Sequence, residues 1–175
     1  ETNSDAYEGL GSSRKRAVSF IGNSGFLDSS YFYFWKLLST GSIVSKLYSH
    51  TGVLGSITTL PGDVLATSDP VNISTFSSYP TYSLIKFTFP VGQDYFLQPN
   101  VPYFISMESD AVISSFGLGV HSGAKHISGT KAQNNTGTWS IAGTSIQPFY
   151  VYVNSLQNNY ILAETGDKII LEGTR

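Results

Sequence analysis

Residues 31–35 read Tyr31-Phe32-Tyr33-Phe34-Trp35, five aromatic side chains in succession. Aromatic residues favour strands. In a strand, successive side chains point to opposite faces. The run therefore sorts into two rows: Tyr31, Tyr33 and Trp35 on one side, Phe32 and Phe34 on the other. If the stretch were helical, no such sorting would follow.

The same period of two continues outward in both directions. Val18 and Phe20 fall on one side of the preceding run. After Gly41, Ile43, Ser45 and Leu47 alternate with Val44, Lys46 and Tyr48. Ile85, Phe87 and Phe89 alternate with Leu84, Lys86 and Thr88. Tyr103, Ile105 and Met107 alternate with Phe104, Ser106 and Glu108. Near the end, Phe149, Val151 and Val153 alternate with Tyr150 and Tyr152. Turn signals rich in Gly, Pro, Asn and Asp separate these runs. No segment of ten or more residues carries a helical stripe. Many short strands with such turns predict an all-β, antiparallel β-sandwich or barrel. The uneven loops suit jelly-roll crossings better than an up-and-down barrel.

Composition agrees. The chain has 175 residues, 12 acidic and 10 basic side chains, a net charge of -2 and no cysteine. A chain of this length hides roughly two thirds of its unfolded surface, so a core forms without disulfides. Charged residues make up 13%, against about 25% in an average protein. Aromatics at 14% are too many for a disordered chain. The charge balance is wrong for a general nucleic-acid binder. No run approaches the ~18 apolar residues of a membrane span, so neither nucleic acid nor membrane insertion is expected.

Three segments are expected. Residues 1–15 are polar and Gly/Ser-rich, an N-terminal arm or linker. Residues 16–155 hold the sandwich. Residues 156–175 read as a hairpin tail turning at Thr165-Gly166-Asp167. Such a hairpin needs something to pack on. Arg14-Lys15-Arg16 reads as a solvated strand edge that discourages edge pairing.

Catalytic patterns are missing. There is no G-x-S-x-G elbow. His121 and His126 lack an H-E-x-x-H frame and any cysteine partner. Asp63, Asp69 and Asp94 sit in apparent turns, where aspartate bonds its own backbone. Gly117-Leu118-Gly119 lacks the glycine spacing of a phosphate cradle and reads as a strand irregularity. The chain is expected to be no enzyme, with no catalytic residue, no metal and no cofactor.

The order of several short motifs resembles a jelly-roll module of prokaryotic surface proteins and tailed-phage virion structural proteins, one that is carbohydrate-binding-like. Across residues 17–153 these are Ser19-Phe20, Lys46-Leu47-Tyr48, the run from Leu65 to Asp69, Phe87-Thr88-Phe89, and Leu97 through Ile105. Ser42 stands where that module commonly has Pro-Thr, and Asn100-Val101-Pro102 replaces a small-residue turn. The resemblance implies that Phe32 and Phe34 face the core. Tyr31, Tyr33 and Trp35 would then form an outer row, joined by Lys46 and Tyr48 of the following strand. An exposed aromatic row marks contact with something. It would dock a partner subunit, lie under the N-terminal arm or C-terminal hairpin of the same chain, or stack on a sugar. Trp139 is expected in core or loop packing. The resemblance implies a non-catalytic virion component, such as a head decoration, fibre or tail protein. Its partners would be other subunits, with homo-oligomers formed. The alternative is a glycan-binding attachment module, extracellular or on a cell or virion surface.

Overall fold

A computed structural model describes residues 6–10, 14–37, 40–111, 116–120, 130–142, 149–154 and 159–163; for 6–10, 120 and 159–163 the backbone alone is described. Alternating apolar residues can hide one face of a strand only by stacking that face on a second sheet. The described residues do this with fourteen strands and no α-helix. In chain order they are β1 (Ala6–Leu10), β2 (Lys15–Ile21), β3 (Gly25–Lys36), β4 (Ser42–Thr51), β5 (Leu60–Thr67), β6 (Val71–Asn72) and β7 (Ser83–Thr88). They continue with β8 (Phe96–Leu97), β9 (Pro102–Ser109), β10 (Phe116–Val120), β11 (Lys131–Asn134), β12 (Trp139–Ile141), β13 (Phe149–Asn154) and β14 (Asn159–Ala163). A 3₁₀ turn, Ile73–Thr75, follows β6, and the Asn72 side chain accepts from Ser74 N.

The first sheet is organised on β3, the longest strand. Along one edge β3 pairs with β7 and β8, along the other with β13 and β10. Two further strands extend the second edge: β1 pairs with β10, and β14 pairs with β13. The second sheet runs β12-β11-β2-β9-β4-β5, with β6 also on β4. All these ladders are antiparallel. The second sheet curls, so that β12 at one end comes beside β5 at the other.

The core lies between the sheets. Val18, Phe20, Leu47, Ile105 and Met107 of the second sheet meet Phe32, Phe34, Phe87, Phe149 and Val151 of the first. Phe32 stacks on Phe149 (6.2 Å, 22°), and Phe34 stacks on Phe76 (5.2 Å, 20°). One polar link crosses this apolar layer. Ser30 Oγ donates to Ser45 Oγ at 2.8 Å, and Ser45 N donates to Ser68 Oγ at 2.9 Å, so the buried hydroxyls are satisfied.

The period of two slips once in β3. Opposite β13 the register jumps from Tyr152↔Ser29 to Val153↔Leu27, leaving Asp28 as the extra residue of a bulge. Leu27 and Ser30 are therefore both buried, although three positions apart.

Residues 6–10, within the expected N-terminal arm or linker, form β1. Other expectations are corrected. Lys15 and Arg16 do not lie on an edge, because β2 is flanked by β11 and β9. Arg16 is buried and donates to Asn135 Oδ1. Asp63 lies within β5, not in a turn. Asp94 keeps the expected role, accepting from Gly92 N at 3.0 Å. Gly117-Leu118-Gly119 is a regular part of β10, paired with both β3 and β1. The Thr165-Gly166-Asp167 turn, His121 and His126 lie outside the described residues.

Candidate functional site

Strand β3 separates its aromatic rows as its alternation demands. Phe32 and Phe34 are fully buried in the core, whereas Tyr31 and Tyr33 are half-buried on the outer face of the first sheet. Register brings further residues to that face. Tyr150 and Lys86 lie on either side of Tyr31, and Leu84 lies beside Tyr33. Tyr152 adds its ring to Tyr31 (4.9 Å between centroids). Burial and the neighbouring Tyr31 phenol both push the Tyr152 phenol up. Next to this pair the bulge presents Asp28. Its carboxylate accepts from Ser29 Oγ (2.8 Å) and Asn154 Nδ2 (3.1 Å), with Lys86 Nζ at 3.8 Å.

Trp35 belongs to the same row but is covered, with 4% of its surface exposed. Tyr79 stands edge-on over it (5.0 Å, 61°). Its indole lies across Gly117, the residue paired with it in β10. The cover of Trp35 comes from the segment between the 3₁₀ turn and β7, not from the N-terminal arm or C-terminal hairpin expected to provide intrachain cover. Tyr79 and Leu84, 55% and 43% exposed, take over as the apolar exterior at this end of the face.

Lys46 and Tyr48 do not join the row. Strands β3 and β4 follow each other in sequence yet belong to different sheets, so the two sets of residues lie on opposite outer faces. There, inside the curl of the second sheet, Tyr48 packs with Ala17, Phe104 and Ala132, and Trp139 closes over it (5.6 Å from Tyr48). Trp139 is packing, as expected.

The centre of that curl is Glu108, which the sequence reading did not single out. It accepts from Lys15 Nζ and Lys46 Nζ, both at 2.9 Å, from the Tyr48 hydroxyl, and from Ser106 Oγ at 3.3 Å. Burial alone would push its carboxyl up; the hydrogen bonds from Tyr48, Lys15 and Lys46 outweigh it and hold the pKa below the usual carboxylate range. Burial and the Glu108 carboxylate push the Tyr48 phenol well up. His50 stacks on Phe104 (5.4 Å, 16°), and its buried Nε2 has no hydrogen-bond partner among the described residues. Desolvation lowers its pKa. This cluster is a structural clasp across β2, β9 and β4. Its carboxylate is already saturated, so it has little capacity left to accept a substrate proton.

Among the described residues, no three His, Asp or Glu side chains converge to hold a metal ion. No helix among them is long and apolar enough to cross a membrane. The chain matches no family model, no curated protein and no solved structure.

Proposed function

We propose that the chain is a non-catalytic structural and assembly module, a virion component of the head-decoration, fibre or tail kind, that engages neighbouring subunits. One observation carries this reading: the outer face of the first sheet presents a contiguous row of rings and aliphatic side chains, from Tyr152 and Tyr31 through Tyr33 and Leu84 to Tyr79. Tyr is enriched at protein interfaces because it supplies apolar area with a polar tip. The added strands β1 and β14 support the reading further, since both extend the same edge of that sheet. The interleaved order, with β9 between β2 and β4 while β7 lies on β3, supports a jelly-roll assignment. Sedimentation velocity across a concentration series tests the proposal. A chain that stays monomeric at its highest soluble concentration, alone and with candidate virion proteins, sinks it.

A second reading is a glycan-binding attachment module at a cell or virion surface. The observation favouring it is the Tyr31–Tyr152 pair beside the Asp28–Asn154–Lys86 hydrogen-bonding group. A glycan array with Tyr152→Ala as control tests it: equal binding by both proteins removes the platform.

A further inference from the structure

Three neighbouring strands of the curled sheet place three functional groups in one row. Asn134 of β11 is the register partner of Lys15 in β2. Directly opposed residues on one face have Cβ atoms about 4.5–5.5 Å apart. One step beyond the Arg16↔Met107 pair of the β2–β9 ladder, Lys15 Nζ lies 2.9 Å from Glu108 Oε2. Each of the three stands an even number of residues from Ala132, Ala17 or Phe104, which line the curl, so all share its inner face. The row reads carboxamide, amine, carboxylate.

The carboxamide is placed for attack. Asn134 is buried, with 5% of its surface exposed, and Gly137 N donates to its Oδ1 at 2.8 Å. That N–H is aimed where negative charge collects when a nucleophile adds to Cγ. Trp139, the register partner of Asn134 on its other side, packs on the Tyr48 cluster. Burial keeps water, the competing nucleophile, away. The amine is held by Glu108, whose Oε2 also takes Lys46 Nζ at 2.9 Å. Two ammonium groups on one carboxylate leave a positive charge in excess, and a proton lost from Lys15 makes the cluster neutral.

We propose that Lys15 and Asn134 join in an amide bond across the β2–β11 ladder. The Lys15 ammonium gives one proton to solvent, and the freed lone pair forms the Nζ–Cγ bond. A second amine proton moves to Nδ2, the Cγ–Nδ2 bond breaks, and ammonia leaves. Nothing is oxidised or reduced, and no co-reactant is consumed. Glu108 is a positioning residue that fixes Nζ beside the carboxamide, where proximity replaces an encounter in solution. The bond ties β2 to β11 within one chain, a staple in a sequence that has no cysteine. Its presence or absence leaves the assembly reading untouched.

Intact-mass spectrometry of the purified full chain is the experiment. Wild type is expected to be lighter than its sequence by one ammonia. After proteolysis, a single branched peptide should hold both Lys15 and Asn134. Lys15→Arg keeps a positive charge beside Glu108 and should show the full mass, whereas Lys46→Arg should still lose ammonia. Glu108→Gln should leave a larger unreacted fraction, with circular dichroism confirming its fold; an unchanged fraction overturns the part given to Glu108. Wild type at full mass overturns the inference. So does an ammonia loss that persists in Lys15→Arg, because an asparagine closing on its own backbone loses the same group. A branched peptide through Lys46 overturns the choice of lysine. The branched peptide is read on wild type alone, so it decides the matter even where a variant fails to fold.

Discussion

Trp35 and Gly117 sit opposite each other in the β3–β10 ladder, and the indole fills the space a side chain at 117 would need. A Cβ built on Gly117 would lie 2.4 Å from Trp35 Cε2 and 2.5 Å from Cζ2. Gly9 of β1 is paired with Gly117 on the far side. The ring thus has a strip of bare backbone to lie on, and Tyr79 caps it from above. Aromatic cover of a strand glycine recovers the burial that the missing side chain forfeits.

Gly117→Ala is therefore expected to destabilise the fold by about 1–3 kcal/mol, the usual cost of overpacking. Denaturant unfolding measures it. The companion Trp35→Leu should relieve the clash, so that the double variant loses less than the two singles summed. Strict additivity would mean that the ring and the glycine do not oppose each other.

Phe32 and Tyr33 are neighbours in sequence on opposite sides of one sheet. Phe32→Ala should cost about 3–5 kcal/mol, because it opens a cavity in a sealed core. Tyr33→Ala should cost about 1 kcal/mol or less. Equal losses in thermal or chemical unfolding would contradict the alternation on which the outer face depends.

Glu108 makes stability depend on acid. Folding lowers its pKa below the ordinary 4.5, so the folded state holds the proton less tightly than the unfolded chain. The contribution is fully present above that ordinary value and is lost as pH falls through the folded one. Glu108→Gln should cost about 2 kcal/mol near neutrality, a figure kept modest because Lys15 and Lys46 are partly solvated. The gap between variant and wild type should shrink below the usual carboxylate range. A gap independent of pH in urea titrations would refute the clasp.

Ser30 and Ser45 share the hydrogen bond between the sheets. Ser45→Ala leaves the Ser30 hydroxyl without its acceptor in an apolar layer, a loss of about 1–3 kcal/mol. Removing both hydroxyls should cost less than the two single losses added together. Additive losses would show that the pair is not coupled.

Strand content was readable in the residues themselves. The two-residue period at 31–35, 43–48 and 103–108 reports local geometry, and it assigned Phe32 and Phe34 to one face and Tyr31 and Tyr33 to the other. Asp94, bonding its own turn, was readable for the same reason. Lys46 and Tyr48 were not. Their parity was right, but parity says nothing of which sheet a strand enters, and β4 pairs with β9 rather than with β3. Glu108 went unnoticed because its partners Lys15 and Lys46 lie far away in sequence, and an isolated carboxylate in an alternating strand looks solvated.

Local chemistry thus set which side chains share a face, because pleating is a property of a few consecutive residues. Long-range pairing set which faces stand next to each other, because ladder hydrogen bonds and apolar burial are shared between strands that can be more than a hundred residues apart. Only that pairing could put the Trp35 indole onto Gly117, gather two lysines and a tyrosine around Glu108, and leave Tyr79 and Leu84 exposed over Trp35 and beside Tyr33.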